Sequence, residues 1–183
     1  MIQLVFLRGV MPSGKNRVPM KQLQELLRDN GYPDARTYLH TGNIILTTEK
    51  EAYELATHIH ELILTQIGPD LGIIIRTPQE VQSLLAKNPF QRPGDDLKRV
   101  FFSMLSQQPT EEEIRVIQEK LVGTFEQIHV AYKTAYMYIP GNSARSKLTN
   151  NLLEKSWKIV ATTRNFNTLS KVLAIAKEYE TNN

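Results

Sequence analysis

Two strands and the turn between them are spelled out by Ala35-Arg36-Thr37-Tyr38-Leu39-His40-Thr41-Gly42-Asn43-Ile44-Ile45-Leu46-Thr47-Thr48. Aromatic and β-branched residues predict strands over 35–39 and 43–48. The short polar turn Thr41-Gly42-Asn43 leaves no room for a crossover, so it joins the two strands as a hairpin. The chain is therefore expected to build an antiparallel sheet around this hairpin.

Further strands and two helices flank the hairpin. Apolar, β-branched runs predict strands over 2–7 and 71–76. Helical spacing of leucines predicts one helix between Pro19 and Gly31 and a second over 55–66. The order is then β-α-β-β-α-β, which is the ferredoxin-like split βαβ unit.

The second half of the chain repeats this order. Capping boxes at Thr77–Glu80 and Thr110–Glu113 mark two helix starts. The remaining elements are predicted as strands 99–105, 125–132 and 135–139, helices near 144–156 and 168–180, and a short apolar strand over 159–161. We therefore predict an α+β protein of two ferredoxin-like (split βαβ) subdomains related by internal duplication. The expected ranges are 1–76 for the first subdomain, 77–97 for a connecting helix and loop, and 98–183 for the second.

Bulk composition limits the classes of function. The chain has 183 residues, 41% hydrophobic and 22% charged, which is typical of a soluble globular protein. It has no cysteine and no apolar run of the roughly 20 residues that span a bilayer, so we expect a cytoplasmic protein with no membrane partner. His58 and His60 lie two apart on a predicted helix and cannot share a metal. We expect neither a metal nor another cofactor.

Positive charge is concentrated in two segments. Residues 8–21 contain four basic residues and no acid, and residues 141–171 contain six basic residues against Glu154 alone. The whole chain carries only +3, so the rest is acidic. Segregated charge of one sign suggests an anionic partner that neutralises it.

The first basic segment comes close to a phosphate-binding P-loop. Residues 9–16 read G-x-x-x-x-G-K-N, where a P-loop needs Ser or Thr after the lysine to hold Mg²⁺. An ATPase or GTPase is therefore rejected. A looser interpretation remains, in which Gly9, Ser13, Gly14 and Asn16 let backbone N–H groups turn towards an anion. Arg8 and Lys15 then add charge. The alternative is a flexible connector with solvated side chains.

The second basic segment contains an unusual predicted helix start. Ser143 is a natural N-cap, which would place Arg145 and Lys147 in the first turn. Cations there are disfavoured by about 0.3–1 kcal/mol each, because the helix dipole is positive at that end. An anion bound at the N-terminus would favour them.

A similar cluster precedes the last predicted helix. In Thr162-Thr163-Arg164-Asn165-Phe166-Asn167-Thr168, six of seven residues can cap, turn or hydrogen-bond. One N-cap needs only one such residue. The excess indicates either a rigid loop that satisfies its own backbone or a polar binding surface around Arg164.

These motifs together resemble a bacterial family called domain of unknown function 1697. The resemblance rests on separated motifs in the same order, namely Leu7-Arg8-Gly9, Gly14-Lys15-Asn16, Gly42-Asn43, Arg145-Ser146-Lys147-Leu148-Thr149-Asn150, and Ala161-Thr162-Thr163-Arg164-Asn165 followed by an aromatic residue and Asn167-Thr168. It implies two ferredoxin-like subdomains and a shared polar surface, and it implies no activity. Phe166 stands where the family usually has Trp, and His40-Thr41 where Gln-Ser is common.

Three functions remain open. The first is nucleic-acid binding, with strand aromatics Tyr38, Phe101, Tyr136 and Tyr138 as possible stacking groups. The second is an enzyme or sensor for a small phosphorylated or carboxylated ligand, and the third is a protein-interaction scaffold. No catalytic residue and no oligomeric state is predicted. The predicted ligand-binding residues are Arg8, Gly9, Gly14, Lys15, Asn16, Gly42, Asn43, Arg145, Ser146, Lys147, Thr149, Asn150, Thr162, Thr163, Arg164, Asn165 and Thr168, and the basic ones among them are expected to share one site.

Overall fold

A computed structural model describes residues 1–91 and 96–181 of the chain. Part of the predicted connecting loop, 92–95, lies outside the described residues. Contacts divide the chain into two units. Unit 1 contains Met1–Gln82 and the chain from Ser170 onward, and unit 2 contains Ser83–Leu169.

Unit 1 contains the predicted split βαβ order. Its elements are β1 (Ile2–Leu7), α1 (Met20–Asp29), β2 (Arg36–Tyr38), β3 (Asn43–Thr47), α2 (Ala52–Gln66) and β4 (Ile73–Arg76). The strands form one antiparallel sheet in the order β2-β3-β1-β4. Helix α3 (Pro78–Ala86) follows β4, and the predicted capping box is present, since Thr77 N donates to Glu80 Oε2 at 2.7 Å and Glu80 N to Thr77 Oγ1 at 3.2 Å.

One face of this sheet packs on α1 and α2. The core between them is made of aliphatic side chains that are at most 8% exposed, including Val5, Leu7, Leu23, Leu27, Ile44, Leu46, Leu55, Ile59, Ile63 and Ile75. Burying each such side chain stabilises the fold by about 1.5–3 kcal/mol. The apolar positions of the helices and those of the strands thus face each other in a single core layer.

Unit 2 repeats the arrangement. Its elements are β5 (Val100–Leu105), α4 (Glu111–Lys120), β6 (Gln127–Ala131), β7 (Thr134–Tyr138), α5 (Asn150–Trp157) and β8 (Ala161–Asn165). The antiparallel sheet has the order β6-β7-β5-β8, which matches β2-β3-β1-β4 position by position. A helix, α6 (Phe166–Thr181), follows β8 as α3 follows β4. The α+β fold of two duplicated halves is confirmed.

Two local predictions in unit 2 are wrong. The helix expected from Ser143 begins at Asn150, and Ser143–Arg145 form a single 3₁₀ turn. Several side chains compete as caps: Asn142 accepts from Ala144 N, Ser146 Oγ accepts from Leu148 N, and Thr149 accepts from Leu152 N. Arg145 and Lys147 therefore precede α5 and do not lie in its first turn.

The second correction concerns the polar cluster before the last helix. The short strand predicted over 159–161 is shifted, because strand β8 runs over Ala161–Asn165 and includes the polar cluster. Pairing with β5 supplies the reason, because Thr162 lies opposite Met104 and Arg164 opposite Phe102. Tertiary pairing overrides the turn-forming composition.

The last helix makes side-chain contacts with residues of unit 1, although the predicted range 98–183 places it in the second subdomain. The Tyr179 hydroxyl donates to Asp34 O at 2.7 Å and to Ile45 O at 3.1 Å, and Arg36 forms a 2.7 Å ion pair with Glu178. These bonds explain why the chain from Ser170 groups with unit 1 and not with unit 2. Among the described helices, none has both the length and the apolar composition to cross a bilayer.

Candidate functional site

A basic concavity lies where helix α1 begins. It has a volume of about 480 Å³ and is lined by Met11, Pro12, Arg17, Val18, Pro19, Met20, Lys21 and His40. All of these residues belong to unit 1. Arg17 and Lys21 come from the first basic segment, and His40 comes from the β2–β3 hairpin.

The N-terminus of α1 contributes to the positive potential. Pro19 is the N-cap and makes no side-chain cap hydrogen bond, and the described first turn contains no acid. The first intrahelical bond is from Leu23 N to Pro19 O, so the three amides before it have no intrahelical acceptor. In contrast, α4 has a capping box at Thr110 and three glutamates in its first turn. An anion at α1 would supply what α4 provides for itself.

The side chains around the concavity add charge without internal compensation. In the described part of the chain, Arg17 has no carboxylate partner, and Lys21 reaches Glu25 only at 3.9 Å on the exposed surface. Such a surface pair is worth little. His40 is exposed at the same opening.

The loop before α1 is shaped by its glycines. Gly9 and Gly14 have φ of +75° and +80°, in the left-handed region that glycine tolerates. Asn16 Nδ2 donates to Gly9 O at 3.3 Å, and Arg17 N donates to Gly14 O at 3.1 Å. The structure thus gives Gly9, Gly14 and Asn16 a role in loop conformation, while Lys15 remains exposed.

Gly42 and Asn43 hold the hairpin together. A Cβ on Gly42 would lie 2.6 Å from Leu7 Cβ, and its φ is +76°. The buried Asn43 donates from Nδ2 to Tyr38 O at 2.9 Å and to Thr41 Oγ1 at 3.0 Å. Both predicted site residues therefore have a structural explanation.

In unit 2, Asn150 connects the start of α5 to the sheet. Its Oδ1 accepts from Thr163 Oγ1 at 2.6 Å and from Ser103 Oγ at 3.2 Å. Thr163 and Ser103 are paired across β8 and β5, so they share a face. This cluster fixes the helix N-terminus against two strands.

Arg164 is a buried cation on the opposite face of the same sheet. It is 9% exposed, and burial lowers its pKa to about 10, so it remains charged at neutral pH. Its guanidinium donates to Thr162 Oγ1 at 2.9 Å and to Thr163 O at 2.8 Å. Burying a guanidinium is costly, and these bonds offset part of the cost.

The other predicted residues of unit 2 form local bonds or stay exposed. Asn165 Oδ1 accepts from Thr168 N at 2.8 Å and so caps α6, while Ser146 and Thr149 bond to nearby backbone amides. Arg145 and Lys147 are exposed. They belong to unit 2, and Arg8 and Lys15 to unit 1, so the common site remains a prediction.

Sequence reasoning did not select Arg17, Lys21 and His40 as site residues. The signal for the first two was present, because both lie in the basic segment and flank Pro19 with no acid nearby. His40 is a lone histidine beside the Thr41-Gly42-Asn43 turn. Its approach to the start of α1 depends on the folded hairpin, which no local pattern encodes.

The strand aromatics are buried or half-buried. Tyr136 is fully buried and meets Phe102 edge-on at 5.8 Å between ring centroids. Tyr138 stacks on Phe90 at 5.7 Å, and Tyr38 and Phe101 are half-buried. Within residues 1–91 and 96–181, no three acidic or histidine side chains gather as metal ligands would.

Comparisons with known proteins agree on fold and family. A conserved bacterial protein from Streptococcus pneumoniae has a similar structure, with a TM-score of 0.73 and 19% identity over 96% of this chain and 98% of that chain. At this identity the likeness concerns the fold alone. None of the curated proteins matches the chain. The family match over residues 1–136 confirms the resemblance that the motifs indicated, so the chain belongs to the family described as protein of unknown function (DUF1697).

Proposed function

We propose that the chain binds a small phosphorylated or carboxylated ligand in the basic concavity at the start of α1. The observation that supports this most is a space of about 480 Å³ bordered by Arg17, Lys21 and His40. It coincides with an uncapped helix N-terminus whose described first turn has no acid. Side-chain charge, free amides and the helix dipole favour the same kind of ligand there.

Nucleic-acid binding is the second candidate. Proteins that bind single strands on a sheet usually stack bases on exposed aromatics. Here Tyr136 is buried and Tyr138 is covered by Phe90. Exposed Lys15, Arg145 and Lys147 support contacts to phosphates without such stacking.

A thermal-shift titration with pyrophosphate and with citrate tests the first proposal. Ligand at about 100 times its Kd stabilises the folded state by about 2.7 kcal/mol. For a chain of this size we expect Tm to rise by roughly 5–10 °C. The rise should be lost in Arg17→Ala/Lys21→Ala. If that variant keeps the full rise, the concavity is not the site.

Arg145→Ala/Lys147→Ala is the matched control. It also removes one exposed arginine and one exposed lysine, so the net charge changes by the same amount. It should keep the Tm rise. For an RNA oligonucleotide, each lost phosphate contact should instead reduce the slope of log affinity against log salt by about 0.7. A slope unchanged in this control contradicts the second candidate.

A further inference from the structure

Strand β6 forms an open edge of the sheet in unit 2. It is the first strand in the order β6-β7-β5-β8. Tyr132 and Lys133, which join it to β7, have φ of +52° and +54°, as in a two-residue type I′ turn. Such a turn makes Ala131 and Thr134 a hydrogen-bonded pair. By alternation, the main-chain groups of Ile128 and Val130 point away from β7.

These outward groups have no partner among the described residues. No hydrogen bond from the described part of the chain reaches the main chain of Ile128 or Val130 on that side. Strand β6 also contains no lysine, proline or bulge, which are the usual protections of an edge. The edge β2 differs, because Gln24 Oε1 accepts from Thr37 N at 3.4 Å and from Thr37 Oγ1 at 3.2 Å.

Exposed aromatic residues lie just beyond both ends of β6. Phe125 is 87% exposed before the strand, and Tyr132 is 69% exposed after it. A single exposed aromatic is ordinary. In an antiparallel pairing of β6 with itself, however, the start of one strand lies beside the end of the other. Each Phe125 then approaches the Tyr132 of the other copy, so one arrangement covers both rings.

We propose that two copies of the chain associate through antiparallel pairing of β6 with β6, about a two-fold axis at His129. The outward groups of Ile128 then bond with those of Val130 in the second copy. Because both pairs are equivalent by symmetry, four main-chain hydrogen bonds form and the two four-stranded sheets become one of eight strands. An extended peptide would satisfy the same edge, but it would not account for an aromatic residue at each end. This association does not depend on the ligand proposed above.

The chain has no cysteine, so a single introduced cysteine reports on the pairing. In the proposed register His129 faces its own copy in a pair that is not hydrogen-bonded, with Cβ atoms about 5 Å apart. His129→Cys should therefore form a disulfide-linked dimer under mild oxidation, seen on a non-reducing gel. Gln127→Cys is the matched control, because Gln127 is also exposed and on the same face. The two Gln127 residues of the dimer would be roughly 14 Å apart along the strand, so this variant should form no disulfide and should run as a monomer on the same gel.

A second variant tests the backbone bonds. In Val130→Pro the missing N–H is one that points outward, so the β6–β7 ladder keeps its bonds. We expect sedimentation velocity to show a dimer for the wild type and a monomer for Val130→Pro with an unchanged circular dichroism spectrum. The proposal is overturned if the wild type stays monomeric at the concentrations used for NMR spectroscopy. It is also overturned if Gln127→Cys crosslinks as fast as His129→Cys.

Discussion

Two buried tyrosines of this protein differ in what their hydroxyl groups touch. The Tyr136 hydroxyl has no hydrogen-bond partner among the described residues, although the side chain is fully buried. The Tyr179 hydroxyl donates to the carbonyl oxygens of Asp34 and Ile45. Burial raises the pKa of both side chains to about 12. The same chemical deletion should therefore have opposite effects at the two positions.

Tyr136→Phe should stabilise the protein, and Tyr179→Phe should destabilise it. An unpartnered buried polar group costs about 1–3 kcal/mol, so removing the Tyr136 hydroxyl should raise the free energy of unfolding by about 1 kcal/mol. Removing the Tyr179 hydroxyl deletes its hydrogen bonds to Asp34 O and Ile45 O and should lower the free energy of unfolding by about 1–2 kcal/mol. Urea unfolding at pH 8 measures both. Equal losses in the two variants would mean that the Tyr136 hydroxyl has a partner after all.

The same two tyrosines make the free energy of unfolding depend on pH. Unfolded tyrosine loses its proton near pH 10, and these folded tyrosines keep theirs to about pH 12. Between these values the folded chain binds more protons, so stability falls as pH rises. Each Phe variant should lose less stability than the wild type over that range. Arg164 has the opposite sign, since burial lowers its pKa to about 10, but it is common to all three proteins and cancels in the comparison.

At the scale of single elements, α1 and α4 show two ways of satisfying a helix N-terminus. Helix α4 has its own cap and three glutamates, whereas α1 has neither in its described first turn. If the N-terminus of α1 lacks a cap and an acid because it binds an anionic ligand, an acidic residue placed there should stabilise the helix and weaken ligand binding. Gln22→Glu is suitable, because Gln22 lies in the first turn and is exposed.

Gln22→Glu should raise stability by about 0.3–1 kcal/mol through the helix dipole and reduce the Tm rise with pyrophosphate. The control is Gln79→Glu, which places the same charge in the first turn of α3, where Glu80 and Thr77 already form a capping box. It should leave the pyrophosphate response unchanged. If both variants weaken the response equally, the effect is one of net charge and not of position.

Elements with strong local signals were predictable from the sequence. The turn Thr41-Gly42-Asn43 and the capping box at Thr110 each have one dominant local conformation, and both are present in the structure. The start of α5 was not predictable, because Asn142, Ser146 and Thr149 each offer a cap and only packing selects Thr149. The short strand predicted over 159–161 lies instead at Ala161–Asn165 as β8, because long-range pairing with β5 sets its position.

The candidate site was only partly predictable for a related reason. Polar motifs such as Gly42-Asn43 and Thr163 with Asn150 have the same composition whether they bind a ligand or one another. Only the hydrogen-bond distances in the structure show that these side chains bond to other residues of the chain. Arg17 and His40 belong to different motifs and meet at the concavity through the folding of the hairpin.

At the scale of the whole molecule, the last helix connects residues far apart in the sequence. Asp34 and Ile45 accept from Tyr179, and Arg36 pairs with Glu178 and lies 4.9 Å from the Tyr179 ring centroid. The range 98–183, read from element order, assigns this segment to the second subdomain. The contacts group the segment from Ser170 with unit 1, and the subdomain range stays a prediction.

Ending the chain after Leu169 distinguishes these assignments. The truncation removes Tyr179, whose loss alone is worth about 3–5 kcal/mol by analogy with other buried aromatics, and it exposes the backbone beside β3. We expect hydrogen exchange of the β3 amides, around Ile45, to become much faster. The β7 amides around Ala135 should keep most of their protection. Tyr179→Ala in the full chain should give the same pattern more weakly, since the other contacts of α6 remain. Greater loss at β7 than at β3 would support the range read from the sequence, and it would show that the segment from Ser170 stabilises the second sheet.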